Sequence, residues 1–409
     1  MVSQGVLYGK TICLVFEYAL SHYSRLLDEI NLLEDQGAKI ILLTSTKQAM
    51  SVQVPASVTP RTKTPVEPRQ HANRIARIIH NKTHQFVSRL RNGPNILSIS
   101  PLRQQELQAL VQTVDAFWVI DYLSLPSTMA AAQLAHIPVI YETVDLVPEY
   151  PYWGKRIQRK MLKGERDIIN QLSGFITAAD SYAQYYQNEY VPTILANPPV
   201  VRDNMPNYTV NAPSKTTKPL KFLFFGSLMF DRPIKELLQA VSYSTEAFTL
   251  TFQGKNLLGD APFLWAQELN VTDRVVIKDP CPAGSIVQEA AQYDVGVVAL
   301  QGNDNNERYA STSKIFTYMT AGLAVLGSDL PGIAGVIRSA KNGELVPNMT
   351  PRLWAKAFDH MAQMNVGTID TYRTNSLAFA KDRTLDKQKD AFLGVFEKAL
   401  RERQSRASK

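Results

Sequence analysis

Two cysteines in 409 residues are too few for a disulfide framework, and Cys13 and Cys281 do not have metal-ligand spacing. Cys13 falls in an apolar strand pattern and Cys281 in a proline-rich loop, so both read as structural. No stretch reaches the ~18 uninterrupted apolar residues that a membrane span needs. Glu17 interrupts the first apolar run and no basic segment precedes it, so residues 1–20 do not read as a signal peptide and a cytoplasmic protein is expected. The histidines are His22, His71, His80, His84, His136 and His360. None follows a strand at a ligand-binding edge, which leaves a Ser-His-Asp triad unsupported. No His, Asp and Glu set has ligand spacing, so no metal site is expected. The glycine fingerprint of dinucleotide enzymes is missing, so no such cofactor is expected. No zinc-finger or RNA-binding signature accompanies the net charge of +7, which therefore points to phosphorylated ligands or a polyanionic surface rather than nucleic acid.

Acid is absent locally as well. Between Glu67 and Glu106 there is no acidic residue, while Arg69, Arg74, Arg77, Lys82, Arg89, Arg91 and Arg103 are all cationic. Ile75, Ile78, Ile79, Phe86 and Leu90 share one helical face. The segment 69–92 is expected to be a basic amphipathic helix, either lying on an anionic membrane or packed with a solvated basic side.

What is present is an α/β rhythm. An apolar content of 45% with 20% charged residues is that of a soluble globular protein, and the length suits two to three domains. Strands are expected at 11–16, 39–44, 116–120, 138–141, 174–178 and 193–196, with helices at 22–36, 125–135, 155–171 and 180–190 between them. Residues 197–219 contain Pro198, Pro199, Pro206, Pro213 and Pro219 and read as a linker. A second series has strands at 220–225, 248–252, 274–278, 295–300, 323–326 and 344–346, and a charged amphipathic helix over 384–405 ends the chain. The expected division is 1–200, a linker 201–219, 220–383 and a terminal helix 384–409, with Rossmann-like parallel sheets in both halves.

The stretch 308–332 carries the clearest chemistry. Ser311, Thr312 and Ser313 are helix-start residues, Ile315, Phe316 and Met319 recur at helical spacing, and Gly322 stops the helix. Lys314 then falls in the first turn, where free amides already make the potential positive. It is either a solvated lysine beside an ordinary cap or part of a phosphate seat. A parallel arrangement follows the strand at 220–225. Gly226 and Ser227 allow close backbone approach, Pro233 is placed to open a helix, and Arg232 and Lys235 flank its start. Taken jointly, Arg232 and the 311–314 helix start read as a pyrophosphate site. Asp121, Glu142, Asp145 and Glu149 are expected just past strand C-termini, the ligand edge of open α/β sheets. Asp121, Asp145 and Glu149 are candidates for hydroxyl binding or base action, or else for structural caps and loop salt bridges.

These residues resemble the retaining group 1 (family 4) sugar-nucleotide glycosyltransferases of the GT-B fold. Ser313 to Val325 is similar to that family's Lys-Leu-Phe-Glu-Tyr-Met-Ala-Ala-Gly-x-Pro-Val segment. Phe225-Gly226-Ser227 with Arg232 resembles its first donor-phosphate loop. Tyr293-Asp294-Val295-Gly296 and Asn342-Gly343-Glu344-Leu345-Val346 fit later landmarks. In the first half, Arg25, Leu33, Gly37, the run from Tyr141 to Glu149, Glu165 and Asn197-Pro198 also fall in family-like places. The chain departs from the family at Thr317 and Tyr309, where the family has glutamates. It departs again at Ile120 and Val144, where the family often has histidine, each followed here by an aspartate.

The resemblance implies two Rossmann-like domains facing across a cleft, with the C-terminal helix crossing back to the first. It implies transfer of a sugar from a UDP- or GDP-type donor, as co-substrate and with no other cofactor, to a glycan or lipid-linked acceptor in cell-envelope or exopolysaccharide synthesis. The outcome would be retaining and metal-independent. Gly226, Ser227, Arg232, Ser311, Thr312, Ser313, Lys314 and Thr317 would hold the donor, and Arg232, Lys314, Asp121 and Asp145 would serve catalysis. The enzyme would be cytoplasmic, peripheral on the inner face of the membrane through 69–92. The competing readings are a nucleotide-sugar epimerase and a non-catalytic partner subunit of a transferase. An epimerase needs a histidine near the anomeric carbon. Thr317 and the missing histidines favour the partner subunit, whereas retention of Arg232 and Lys314 argues against it.

Overall fold

The structure, a computed structural model, describes residues 5–17, 24–44, 59–62, 101–190, 199–201 and 215–407. The basic segment 69–92, the strand expected at 193–196 and most of the linker lie outside the described residues. The chain forms two compact units. The first comprises Met1–Ala178, Tyr186–Val201 and Lys389–Lys409, and the second Ala179–Tyr185 and Arg202–Gln388.

The first unit is built on seven parallel strands: β1 (Thr11–Phe16), β2 (Lys39–Thr44), β3 (Thr59–Thr62), β4 (Ala116–Ile120), β5 (Val139–Thr143), β6 (Gly174–Thr177) and β7 (Val200–Val201). Their order is β3-β2-β1-β4-β5-β6-β7, so the direction of winding reverses between β1 and β4. The central strands β1, β4 and β5 are buried along nearly their whole length, as a parallel sheet covered on both faces requires. Helices α1 (Ser24–Asp35), α2 (Pro101–Leu110), α3 (Leu125–Ala135) and α4 (Lys155–Ile169) connect them, and α5 (Asp180–Glu189) follows β6. The distal part of the C-terminal helix completes this core. Phe392 and Phe396 meet Trp118 edge-on, with ring centroids 5.8 and 5.5 Å away, and Ala399 and Leu400 join the same buried cluster.

The second unit has six parallel strands: β8 (Leu220–Phe225), β9 (Phe248–Gln253), β10 (Val275–Lys278), β11 (Val295–Val298), β12 (Ala324–Ser328) and β13 (Gly343–Val346), in the order β10-β9-β8-β11-β12-β13. Its reversal lies between β8 and β11. The helices are α6 (Ile234–Tyr243), α7 (Ala261–Glu268), α8 (Ile286–Ala290), α9 (Asn305–Tyr309), α10 (Ser313–Thr320), α11 (Pro331–Ala340), α12 (Pro351–Gln363) and α13 (Val366–Asp382); the long α14 (Leu385–Ala407) begins here and belongs to the first unit from Lys389 on. Phe222, Phe248 and Phe358 pack with centroids 5.1 Å apart in each pair, and each pair adds roughly 0.5–1.5 kcal/mol beyond its burial.

Two local expectations shift. β5 runs two residues past 141, so Glu142 lies inside a strand and not beyond it. Its carboxylate accepts from Trp118 Nε1 at 2.9 Å and pairs with the Arg25 guanidinium. Arg25 also lies 3.6 Å from Glu29, and all three residues are buried, so Glu142 serves the core. Pro233 is the N-cap of α6 and Ile234 its first residue.

Candidate functional site

In an open parallel sheet the strands flanking the reversal splay at their C-terminal ends and leave a crevice there. In the second unit those strands are β8 and β11. β8 is followed by Gly226, whose φ is +136°, and β9 by Gly254, whose φ is +154°. The Gly226 N–H donates to Gln253 O at 2.9 Å. A β-carbon on Gly254 would stand 2.2 Å from Gly226 O, so both positions require glycine for conformation and for space.

Lys314 lies over this turn. A β-carbon on Gly226 would come 2.6 Å from its Cε and 2.7 Å from its Nζ. The ammonium is also 5.0 Å from the Phe224 ring centroid, a cation–π distance. One turn along α10, Tyr318 fixes the helix to the sheet. Its hydroxyl accepts from Phe225 N–H at 2.7 Å, and its ring covers Gly296 so closely that a β-carbon there would be 2.2 Å away. Because residues four apart share a helix face, locking Tyr318 places Lys314 over Gly226.

Lys314 is half-buried, and among the described residues no carboxylate lies within ion-pair distance of it. Burial, then the neighbouring Arg232, push its ammonium down to about 8, with Asp231 opposing. Thr312 is the N-cap of α10 but makes no side-chain capping bond, and its Oγ1 is buried without a partner. Ser311 Oγ donates to Gly332 O at 3.0 Å, and Thr317 Oγ1 donates to Ser313 O at 3.0 Å. Both hydroxyls are thus engaged within the fold. Ser313 is exposed and Ser227 half-buried. Lys235 reaches the Trp265 ring, 5.5 Å from its centroid.

Arg232, on the loop after β8, lies 3.8 Å from Glu307, on the segment after β11. The other Glu307 oxygen accepts from Gly302 N–H at 3.0 Å and Asn303 N–H at 3.2 Å. Glu307 stands two positions from Tyr309, which falls where the resemblance puts the family glutamate, and it was not among the expected site residues. Tyr309 itself packs on Tyr185, centroids 5.2 Å apart, and its carbonyl accepts from Ser181 Oγ at 2.5 Å. Gly254 was also missed, although its signal, glycine directly after an apolar strand, is the one that Gly226 carries.

In the first unit β4 is followed by Asp121, which adopts φ 59° and ψ 168°, a region that residues other than glycine rarely occupy. It is fully buried. Oδ1 accepts from Val144 N–H at 2.9 Å and Asp145 N–H at 3.2 Å, and Oδ2 has no partner. Burial and the nearby Asp145 carboxylate raise its pKa to about 8, against the backbone bonds and Arg25. Asp145 is half-buried and accepts from Tyr150 O–H at 2.8 Å. Glu149 is half-buried at the end of a short 3-10 turn. Glu165 is buried among the hydroxyls of Tyr141, Tyr186 and Tyr190, all donating to it. Burial raises its pKa while the three hydroxyls oppose, which makes it a structural anchor.

A pocket of about 320 Å³ opens elsewhere in this unit, at the N-terminal end of β5. Part of its polar lining is engaged internally: Gln133 donates to Gln171 at 2.7 Å, and Arg403 donates to the carbonyls of Val114 and Asp115. No three His, Cys, Asp or Glu side chains gather to hold a metal among the described residues.

Residues 219–364 match the family model described as glycosyl transferases group 1. No curated protein sequence matches the chain. Solved structures do. A glycosyltransferase from Rickettsia africae superposes with a TM-score of 0.68 at 11% identity, covering 96% of this chain and 99% of that one. The sucrose-phosphate synthase of Thermosynechococcus elongatus gives 0.68 at 14% identity, covering 98% and 100%. The Anabaena protein HepE, in complex with UDP and glucose, gives 0.66 at 14% identity, covering 95% and 99%. The chain therefore has the fold of the GT-B glycosyltransferases, and its residues 219–364 match their group 1 domain.

Proposed function

We propose that the protein transfers a sugar from a nucleoside diphosphate sugar, with the diphosphate held in the second unit by Gly226, Arg232, Thr312 and Lys314. One observation carries this reading. A half-buried lysine stands at a helix N-terminus beside a second cation, with no carboxylate paired to it among the described residues. Each feature is unfavourable until an anion arrives. The group 1 match spans these residues, and the UDP bound by HepE supports a donor of the UDP class.

Catalysis then consists of neutralising the leaving diphosphate. Lys314 and Arg232 supply positive charge, and the first amides of α10 supply donors, all positioned before the bond breaks. These cations make a divalent metal unnecessary in this reading. The resemblance supports a retaining outcome. The acceptor is a glycan or lipid-linked sugar, whose hydroxyl the half-buried Asp145 of the first unit binds or deprotonates, with the fully buried Asp121 acting through Asp145. A carboxyl group with its pKa raised to about 8 can exchange a proton near neutral pH. No described helix is long and apolar enough to cross a membrane; the proposed location is the cytoplasm.

The test is calorimetry with UDP and GDP, followed by sugar transfer and donor hydrolysis in excess chelator. Lys314→Ala should weaken diphosphate binding by ~1.5–3 kcal/mol, the range for a charged hydrogen bond. Arg232→Ala should slow turnover by ~10²-fold or more. Activity lost in chelator and restored by magnesium would overturn the metal-free part. Tight diphosphate binding with no transfer or hydrolysis across a broad acceptor panel would favour a partner subunit.

A further inference from the structure

Helix α4 has a charge pattern that works against its own stability. Lys155, Arg156, Arg159, Lys160, Lys163 and Arg166 are all exposed. At 3.6 residues per turn the six fall within an arc of about 140°. The opposite side, Met161, Glu165 and Ile169, is buried. Lys155 and Arg159, Arg156 and Lys160, and Arg159 and Lys163 are each four residues apart, the spacing at which like charges repel. Lys155 and Arg156 also occupy the first turn, which has no acidic residue, and the Gly154 N-cap offers no side-chain bond. That end of a helix disfavours cations. The one exposed acid on the arc, Asp167, pairs with Lys163 at 2.5 Å. No carboxylate lies within 4 Å of Lys155, Arg156, Arg159 or Lys160 among the described residues. A surface helix selected only for stability intersperses acids at these positions.

An aromatic knob stands at the start of the same helix. The rings of Tyr150, Tyr152 and Trp153 meet in sequence at tilted angles, with centroids 5.1 and 4.7 Å apart, and Tyr152 is 49% exposed. The knob is held firmly. Trp153 Nε1 donates to Val147 O at 2.8 Å, and Gln158 donates to the carbonyls of Glu149 and Tyr150. Tyrosine and tryptophan prefer the headgroup level of a bilayer, and a cationic face is drawn to anionic lipid. The aromatics sit at one end and are not interleaved among the cations, whereas a single-stranded nucleic acid requires successive stacking platforms along its path.

We propose that the cationic face of α4 and the knob at Tyr152 and Trp153 form a docking surface for an anionic lipid bilayer. This surface lies within described residues of the first unit and is separate from 69–92. It adds a membrane partner to the transferase reading and does not depend on that reading.

The test is co-sedimentation of the full-length protein with vesicles of phosphatidylcholine alone and with phosphatidylglycerol added. The wild type should bind only the anionic vesicles, and less as salt is raised. Arg156→Ser/Lys160→Ser/Lys163→Ser should reduce that binding by about 10²-fold, since each cation near the surface contributes about tenfold or less. Tyr152→Ser should reduce it further without altering the salt dependence. Both variants should keep the wild-type melting temperature and wild-type UDP calorimetry, which separates this surface from the donor site. Undiminished vesicle binding by the triple variant would assign docking to another segment and overturn the proposal. Equal binding to neutral vesicles would overturn it as well, as would binding to single-stranded RNA at the same salt without vesicle binding.

Discussion

The Lys314 ammonium stands over the backbone of Gly226, so close that a β-carbon on the glycine would lie 2.7 Å from Nζ. The lysine can take this position only because residue 226 has no side chain, and the glycine turn is covered only because Tyr318 holds α10 against the sheet. Cation and turn act as one unit.

Gly226→Ala should therefore act through Lys314. The new methyl pushes the flexible lysine aside, and diphosphate affinity should fall at least tenfold with modest loss of stability. In a Lys314→Ala background the same substitution should have little further effect on affinity, because coupled residues are not additive. Gly254→Ala meets backbone at 2.2 Å and should lower the melting temperature more than Gly226→Ala. Calorimetry and thermal melts on the four variants check both statements.

Lys314 should make diphosphate binding depend on pH in a defined direction. Its folded-state pKa, about 8, lies below the ordinary lysine value of 10.5, and the anion binds the charged form. Above about pH 7 UDP is already fully ionised, since a terminal phosphate has its second pKa near 6. Affinity should be flat from pH 7 to 8, fall by up to tenfold per unit above 8, and lose that fall in Lys314→Ala. The free protein behaves in the opposite sense. Below pH 8 it carries the full penalty of a partly buried ammonium, and it gains stability as pH rises from 8 towards 10.5.

Asp121 gives the mirror case. Its folded pKa is raised from 3.8 to about 8, so the fold favours the protonated acid. That contribution is complete below pH 3.8 and is lost as pH rises through 8. Asp121→Asn, which cannot ionise, should gain stability relative to the wild type progressively between pH 4 and 8. Denaturant melts at a series of pH values measure this, and a constant difference across the range would refute the assignment.

Phe396→Ala should destabilise the first unit by ~3–5 kcal/mol, as for a large aromatic removed from a core. Phe396 is fully buried against Trp118. Chemical denaturation followed by tryptophan fluorescence reports it.

The sequence determined the local features because these depend on near neighbours and chain geometry. Apolar runs with glycine and proline punctuation located most of the described strands. The three hydroxyl residues before Lys314 located a helix start, and cation placement against the helix dipole singled out Lys314 and Arg232 as candidates for an anion site. The tertiary structure decided which of the neighbouring groups are available. Ser311 and Thr317 donate to carbonyls within the fold, Glu142 neutralises Arg25, and Lys235 turns to Trp265. Each partner is a choice among groups that sequence distance does not order. Glu307 facing Arg232 and Gly254 meeting Gly226 depend on strand order, which places β8 between β9 and β11. The burial that lowers the Lys314 pKa and raises that of Asp121 likewise arises only when strands distant in sequence pack together, since desolvation is a property of the assembled surroundings and not of the residue.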